Sequence, residues 1–187
     1  MVMQYRKFSF FFILFMFLGT GSVQAQHHTK SKILWLTLDE AFAKSKEEKR
    51  KILMFLYTDW CAWCKRMESM TLENTVIADY INRNYYPVKF NAEEKEPVKF
   101  KDKSYTFVSL KPRGVHGLAM EMMKGRISYP TITFFDEDWE VIQSLPNFQP
   151  PHKFEQIITY FAGNYYKKIP WSSYEQTYQF ITPPTKN

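Results

Sequence analysis

The stretch that most limits what this chain can fold into is Lys51-Ile52-Leu53-Met54-Phe55-Leu56-Tyr57, followed at once by Thr58-Asp59-Trp60-Cys61-Ala62-Trp63-Cys64-Lys65. A continuous apolar run of this length is the pattern of a strand buried on both faces. The polar Thr58-Asp59 step turns the chain, and Ala62 to Met70 has helix-forming composition. The order is therefore buried strand, turn, cysteine at a helix start. Both cysteines of the chain lie here, separated by Ala62 and Trp63. At that spacing, on the first turn of a helix, two sulfurs close a small ring and reopen it with little backbone movement. A bridge this short closes almost no loop in the unfolded chain, so it stabilises little, and an exchanging pair is the better reading.

The helix start has a chemical consequence. Unpaired N–H groups and the positive end of the helix dipole stabilise an anion at the first helical positions. The Cys61 thiol is therefore expected below its ordinary pKa of about 8.5, with Lys65 and Arg66 adding positive charge nearby. Cys61 is the expected nucleophile, and Cys64, one turn deeper, the thiol that resolves a mixed disulfide. Trp60 and Trp63 offer flat apolar surface for an extended peptide, although packing into the core stands as an equal reading for Trp63. Zinc fits poorly: the chain offers one Cys-x-x-Cys with His27, His28, His116 and His152, none at finger-like spacing. No metal or other cofactor is expected. An inert disulfide in an exported protein would need neither the tryptophans nor the strand-to-helix setting.

The N-terminus reads as a secretory leader. Arg6-Lys7 precedes an apolar run from Phe8 to Leu18, and Val23-Gln24-Ala25 supplies small residues for cleavage before Gln26. The run is too short to span a bilayer as a helix, which needs about 20 residues. An uncleaved N-terminal membrane anchor is the alternative. Residues 1–25 are thus expected to be a signal peptide, 26–166 one domain and 167–187 a C-terminal helical extension. Removing the leader takes away Arg6 and Lys7 and no acid, so the formal net charge falls from +6 to +4. The remaining lysines and arginines are interspersed with acids, as in Lys44-Ser45-Lys46-Glu47-Glu48-Lys49-Arg50. That is a solvated surface, and nucleic acid is not an expected partner. Export with two cysteines points to a periplasmic or secreted location in a bacterial envelope, where this pair must be kept reduced or reoxidised by another protein.

Elsewhere, Ile33-Leu34-Trp35-Leu36 reads as a short edge strand or docking segment. A helix capped by Thr37 or Asp39 runs to about Lys49 with Leu38, Ala41, Phe42 and Ser45 on one face. Glu73-Asn74-Thr75 opens a further helix ending near Asn84, and Tyr86 to Asn91 is the next strand, so the two strands form a parallel pair joined by a crossover. Ala92 to Ser109 reads as an insertion or long loop with a short strand or turn, and Gly114 to Lys124 as a helix. In Ile127-Ser128-Tyr129-Pro130-Thr131-Ile132-Thr133-Phe134-Phe135, the proline cannot donate to a ladder and belongs at the strand's first residue. A hairpin follows through Asp136-Glu137-Asp138, then a loop over Pro146 to Pro151 and a helix from Phe154 to Phe161 stopped by Gly163-Asn164. Pro170 and Ser172 mark one more helix start, with Trp171, Tyr174, Tyr178 and Ile181 on one face; packing back on the domain and a partner-binding arm are the two readings.

Trp60-Cys61-Ala62-Trp63-Cys64-Lys65 after a buried strand, together with Tyr129-Pro130-Thr131 opening a later one, resembles the thioredoxin superfamily over roughly Ile33 to Asn164. The Cys-x-Trp-Cys-Lys-x-Met form, with Lys65 and Met67, is most similar to exported thioredoxin-related proteins, including the C-terminal domain of the transmembrane thiol reductase of Gram-negative bacteria. The resemblance implies an α/β three-layer sandwich, a central mixed sheet flanked by helices, with an insertion before the cis-proline strand and a C-terminal helical extension. It implies that Pro130 is a cis-proline facing the disulfide, that Tyr129 offers its backbone to a bound peptide, and that Lys89 stands where thioredoxins carry a lysine near a buried acid. This chain departs from the pattern there, because the acid's position is Phe55. Water, Lys89, Asp59 or Glu68 would then handle the proton of Cys64, with Asp59 otherwise a solvated turn residue. The insertion, Ala92 to Gly117, either shapes partner choice or is a tolerated surface loop.

The expected function is an exported thiol–disulfide oxidoreductase, a monomer acting on protein thiols and disulfides. The resemblance leans toward reduction with a membrane electron donor. A non-catalytic peptide-binding module of the same fold is the alternative, and a dithiol that supplies another enzyme is a third.

Overall fold

In the computed structural model, which describes residues 32–181, the apolar run forms strand β1 (Lys51–Tyr57) over its whole expected length. Residues 1–31, which include the expected leader, and the last six residues lie outside the described part. Before β1 comes helix α1 (Leu38–Glu47), opened by Thr37, whose side chain accepts the Glu40 N–H while the Glu40 carboxylate accepts the Thr37 N–H. The segment before α1 is a docking segment and not a full strand. Only Leu36 bridges, to Val88.

After β1 the chain enters helix α2 (Ala62–Met67), a π-turn over Glu68–Leu72, helix α3 (Thr75–Asn84) and strand β2 (Tyr85–Asn91). The sequence predicts α2 to Met70. It stops at Met67, where the π-turn begins; within that turn Thr71, buried, donates its hydroxyl to the Gln149 carbonyl at 2.7 Å and ties the turn to the loop before α5. Asn74 caps α3 by accepting from the Val76 and Ile77 N–H groups. As the crossover demands, β1 and β2 are parallel, with Phe55 opposite Lys89. Later strands β7 (Thr131–Phe135) and β8 (Val141–Pro146) complete a mixed sheet in the order β2-β1-β7-β8, both β1/β7 and β7/β8 antiparallel.

Alternation along β1 divides the core. Leu53 and Phe55 face one layer with Ile77, Ile81, Phe134, Phe154 and Ile158. Ile52, Met54 and Leu56 face the other, with Leu38, Ala41, Val88, Leu118 and Phe135. Each fully buried side chain of this size contributes about 1.5–3 kcal/mol by leaving water. The first layer is built by α2, α3 and helix α5 (Pro151–Ala162), the second by α1 and helix α4 (Gly117–Met122). That is the three-layer α/β sandwich the sequence leads one to expect.

The insertion departs from the reading of a surface loop. Strands β3 (Val98–Phe100) and β4 (Lys103–Tyr105) form one small ribbon; β5 (Phe107–Val108) and β6 (Val115–His116) form another. Phe100, Tyr105 and Val115 are buried in the second core layer, where Phe100 meets Phe42, Phe135 and Trp139. Pairing of Val115 and His116 with β5 also delays α4, which begins at Gly117 and not at Gly114.

His116 fixes that start. Its fully buried ring accepts the Leu118 N–H through Nδ1 at 3.3 Å, which requires the neutral imidazole. Burial holds its pKa below the ordinary value, against the opposing pull of the Glu96 backbone and the Glu94 carboxylate. The unfolded chain therefore takes up this proton first, near pH 6.5, and stability falls as pH drops below that value until the folded ring also titrates. In urea unfolding, the midpoint decreases between about pH 7.5 and about pH 5, and His116→Asn, which keeps a capping acceptor without titrating, loses part of that decrease.

The C-terminal extension packs back on the domain. A short 3-10 turn, Tyr165–Lys167, leads to helix α6 (Trp171–Thr177). Tyr174 is buried and donates to Thr159 of α5 at 2.9 Å. Tyr178 and Ile181 lie past the helix end, a correction to the four-residue face, yet both the Tyr178 hydroxyl and the Ile181 N–H reach the Glu155 carboxylate.

Candidate active site

Cys61 is the N-cap of α2, and its Sγ accepts the Cys64 N–H at 3.0 Å. The two cysteines are joined as a disulfide with Cα atoms 5.2 Å apart. In this oxidised state neither sulfur carries a proton. Cys64 is shielded at 1% exposed, as its deeper position predicts, and Cys61 is itself only 5% exposed. The small exposed part of Cys61 is therefore the opening through which the pair is reached.

The walls of that opening are aromatic. Trp60 is 47% and Trp63 55% exposed, so Trp63 is a surface residue and its reading as core is overturned. Trp60 meets the ring of Tyr129 edge-on at 5.9 Å, and Trp63 meets Phe148 at 5.8 Å. The Tyr129–Pro130 peptide is cis, and Pro130 is buried at the entry to β7. Register explains why it lies here: Thr131 pairs with Leu56, so Tyr129 and Pro130 stand level with the end of β1 from which the cysteines emerge. Asn147 donates its N–H to the Pro130 carbonyl at 2.8 Å and holds the next loop beside it. Trp63, Tyr129, Asn147 and Phe148 line an open cavity of about 320 Å³. Burial, with Glu93 nearby, pushes the Tyr129 hydroxyl up to about 12, so it stays protonated at neutral pH.

The charged residues are arranged differently from the simplest expectation. Lys65 is exposed and has no ion pair among the described residues. Arg66 lies over Trp63 at 5.2 Å and Phe148 at 5.9 Å, and its Nε donates to the Met70 sulfur at 3.3 Å. Lys89 is on β2, over the Tyr57 ring at 4.6 Å, and pairs with Glu68 at 2.8 Å. Glu68 follows Cys64 by one turn and donates its N–H to the Cys64 carbonyl. Phe55 is fully buried, so the acid nearest in sequence to the second cysteine is Glu68. Asp59 accepts from Asn91 at 3.3 Å in the turn.

Two wall residues escape sequence reasoning. Phe148 lies in a loop without periodicity, and Arg113 comes from the insertion, its guanidinium 4.6 Å from the centre of the Trp60 ring. No signal in the sequence marks either. Among the described residues, no three His, Cys, Asp or Glu side chains gather as metal ligands.

The sequence matches the family described as a thioredoxin-like domain over residues 38–162. Among solved structures, the fold is similar to an oxidoreductase designated DsbH, at 16% identity with a TM-score of 0.54, over 75% of this chain and 92% of that one. A thioredoxin-fold protein from Helicobacter pylori is also similar, at 17% identity and a TM-score of 0.52, over 68% and 83% of the two chains. An uncharacterized protein of Caenorhabditis elegans is 29% identical over 114 residues, which is 59% of this chain. The chain spans 15% of that relative's length.

Proposed function

The chain belongs to the thioredoxin-like domain family, and on that premise we propose that it is a thiol–disulfide oxidoreductase acting on protein disulfides, with Cys61 and Cys64 as its redox pair. The observation that carries the reading is one sulfur capping a helix start, closed into a ring with its neighbour beneath two exposed tryptophans. In the reducing direction, the Cys61 thiolate attacks a substrate disulfide, forms a mixed disulfide and expels one substrate thiolate. The Cys64 thiolate then attacks the Cys61 sulfur, releases the second substrate thiolate and leaves the Cys61–Cys64 bridge. Two electrons pass to the substrate, and a membrane dithiol donor must return them. The peptide lies across Tyr129 and Pro130, between Trp60 and Trp63. Lys65 adds positive charge outside the pair, and the Glu68–Lys89 pair takes the place of the missing buried acid in handling the Cys64 proton.

The leader supports export to the periplasm or another part of the bacterial envelope, with a mature domain over 26–166, the extension over 167–187, and a monomer working alone. Sequencing the N-terminus of the envelope-recovered protein is expected to begin at Gln26; a retained leader would replace export by anchoring.

The low exposure of Cys61 favours a second reading, a groove that holds peptides without exchanging thiols. Equilibrating the protein with graded ratios of reduced to oxidised glutathione separates the two. Exchange predicts a sigmoidal, reversible interconversion of dithiol and disulfide, with catalysis of reduction of a protein disulfide. A bridge that stays closed until the protein unfolds would overturn the enzymatic reading.

A further inference from the structure

The groove over the disulfide carries charge as well as aromatic surface. Trp60 is covered on one side by the Arg113 guanidinium and met by Tyr129 on another; Trp63 is covered by Arg66. Each aromatic wall thus has its own arginine, one from α2 and one from the insertion. A guanidinium packed over a ring keeps its N–H groups at the edge of its plane, where they can meet a carboxylate in a two-point contact. Neither arginine has that contact here. Arg66 has no ion pair among the described residues, and Arg113, 58% exposed, has Glu93 only at 4.0 Å. Lys65 adds a third exposed cation beside Cys64.

Of the acids nearby, Glu68 is paired with Lys89 and Asp59 accepts from Asn91, while Glu93, beside Tyr129, approaches Arg113 only to 4.0 Å and leaves most of that guanidinium's edge open. A peptide crossing the groove therefore meets aromatic faces at the cysteine and guanidinium edges on both flanks. We propose that the preferred partner is an extended polypeptide carrying acidic residues on both sides of its target cysteine, with Arg113 and Arg66 as the residues that determine this preference. The proposal rests on the oxidoreductase reading above for its biological setting, while the binding preference itself needs no exchange chemistry.

The test uses three decapeptides with serine in place of the cysteine, flanked by aspartates, asparagines or lysines, and titrates each into the full chain while following tryptophan fluorescence. The aspartate peptide is expected to bind at least about tenfold more tightly than the lysine peptide at low ionic strength, the scale of two exposed ion pairs. Added salt narrows the gap. In Arg113→Met and Arg66→Met the ratio between peptides collapses toward one, and Arg113→Lys restores part of it. A ratio is the readout because loss of folding lowers all three affinities together. Equal binding of the three peptides by the wild-type protein, or a preference for lysine, overturns the proposal even when glutathione exchange is intact. Acid preference in a protein whose bridge never exchanges upholds this inference and removes the enzymatic one.

Discussion

Cys64→Ser is expected to abolish turnover while leaving the first chemical step in place, so that Cys61-linked mixed disulfides with substrate accumulate. The sulfur that caps α2 accepts the N–H of residue 64, and a serine backbone still supplies that N–H. The attack of Cys61 on a substrate disulfide is thus preserved, and only the sulfur that would release the partner is gone. Cys61→Ser, by contrast, removes the nucleophile, and both turnover and trapping fall to background. Non-reducing electrophoresis of protein mixed with a disulfide-containing substrate checks both at once: a band sensitive to thiol reagent for Cys64→Ser, none for Cys61→Ser. Bands of equal strength from both variants would show that position does not distinguish the two sulfurs, and the assigned order of attack would be wrong.

Phe55→Ala is expected to destabilise the domain by about 3–5 kcal/mol, a large fraction of the about 5–15 kcal/mol by which such domains are stable. Phe55 is fully buried in the central strand, its ring stacked on Trp35 and Tyr57 at 5.9 Å each. Alanine leaves a cavity between two sheet neighbours whose backbone positions are fixed by pairing on both sides, to Lys89 and to Ile132. The surrounding structure has little freedom to collapse into it. Urea unfolding monitored by circular dichroism measures the effect as a lower midpoint at unchanged slope. A loss below about 1 kcal/mol would mean that the site relaxes, contrary to the packing described.

How much of this was legible in the sequence follows from what each feature depends on. The strand β1, the cysteine at a helix start and helices α1, α3 and α5 depend on short-range patterns: a continuous apolar run, a capping residue, a periodic face. The proline-led strand is readable because a missing N–H confines Pro130 to a strand's beginning. The π-turn is not readable, because no short-range pattern marks it and Thr71 within it bonds to a carbonyl 78 residues away. The two ribbons of the insertion are two or three residues per strand, too short to show a period, and reach the core through Phe100 and Tyr105 in one and Val115 in the other. Trp63 was ambiguous because its size argues for burial while its neighbours argue for a surface. Phe148 and Arg113 become wall residues only because loops distant in sequence pack against Trp63 and Trp60.

The insertion supplies both a guanidinium for the rim above the cysteines and aromatic rings for the interior beneath the sheet. One segment therefore carries both part of the proposed partner preference and part of the core. Grafting a different loop between β2 and α4 would leave a hole under Phe135 and Trp139, so the proposed partner preference is open to change by point replacement at the rim and not by exchange of the whole loop.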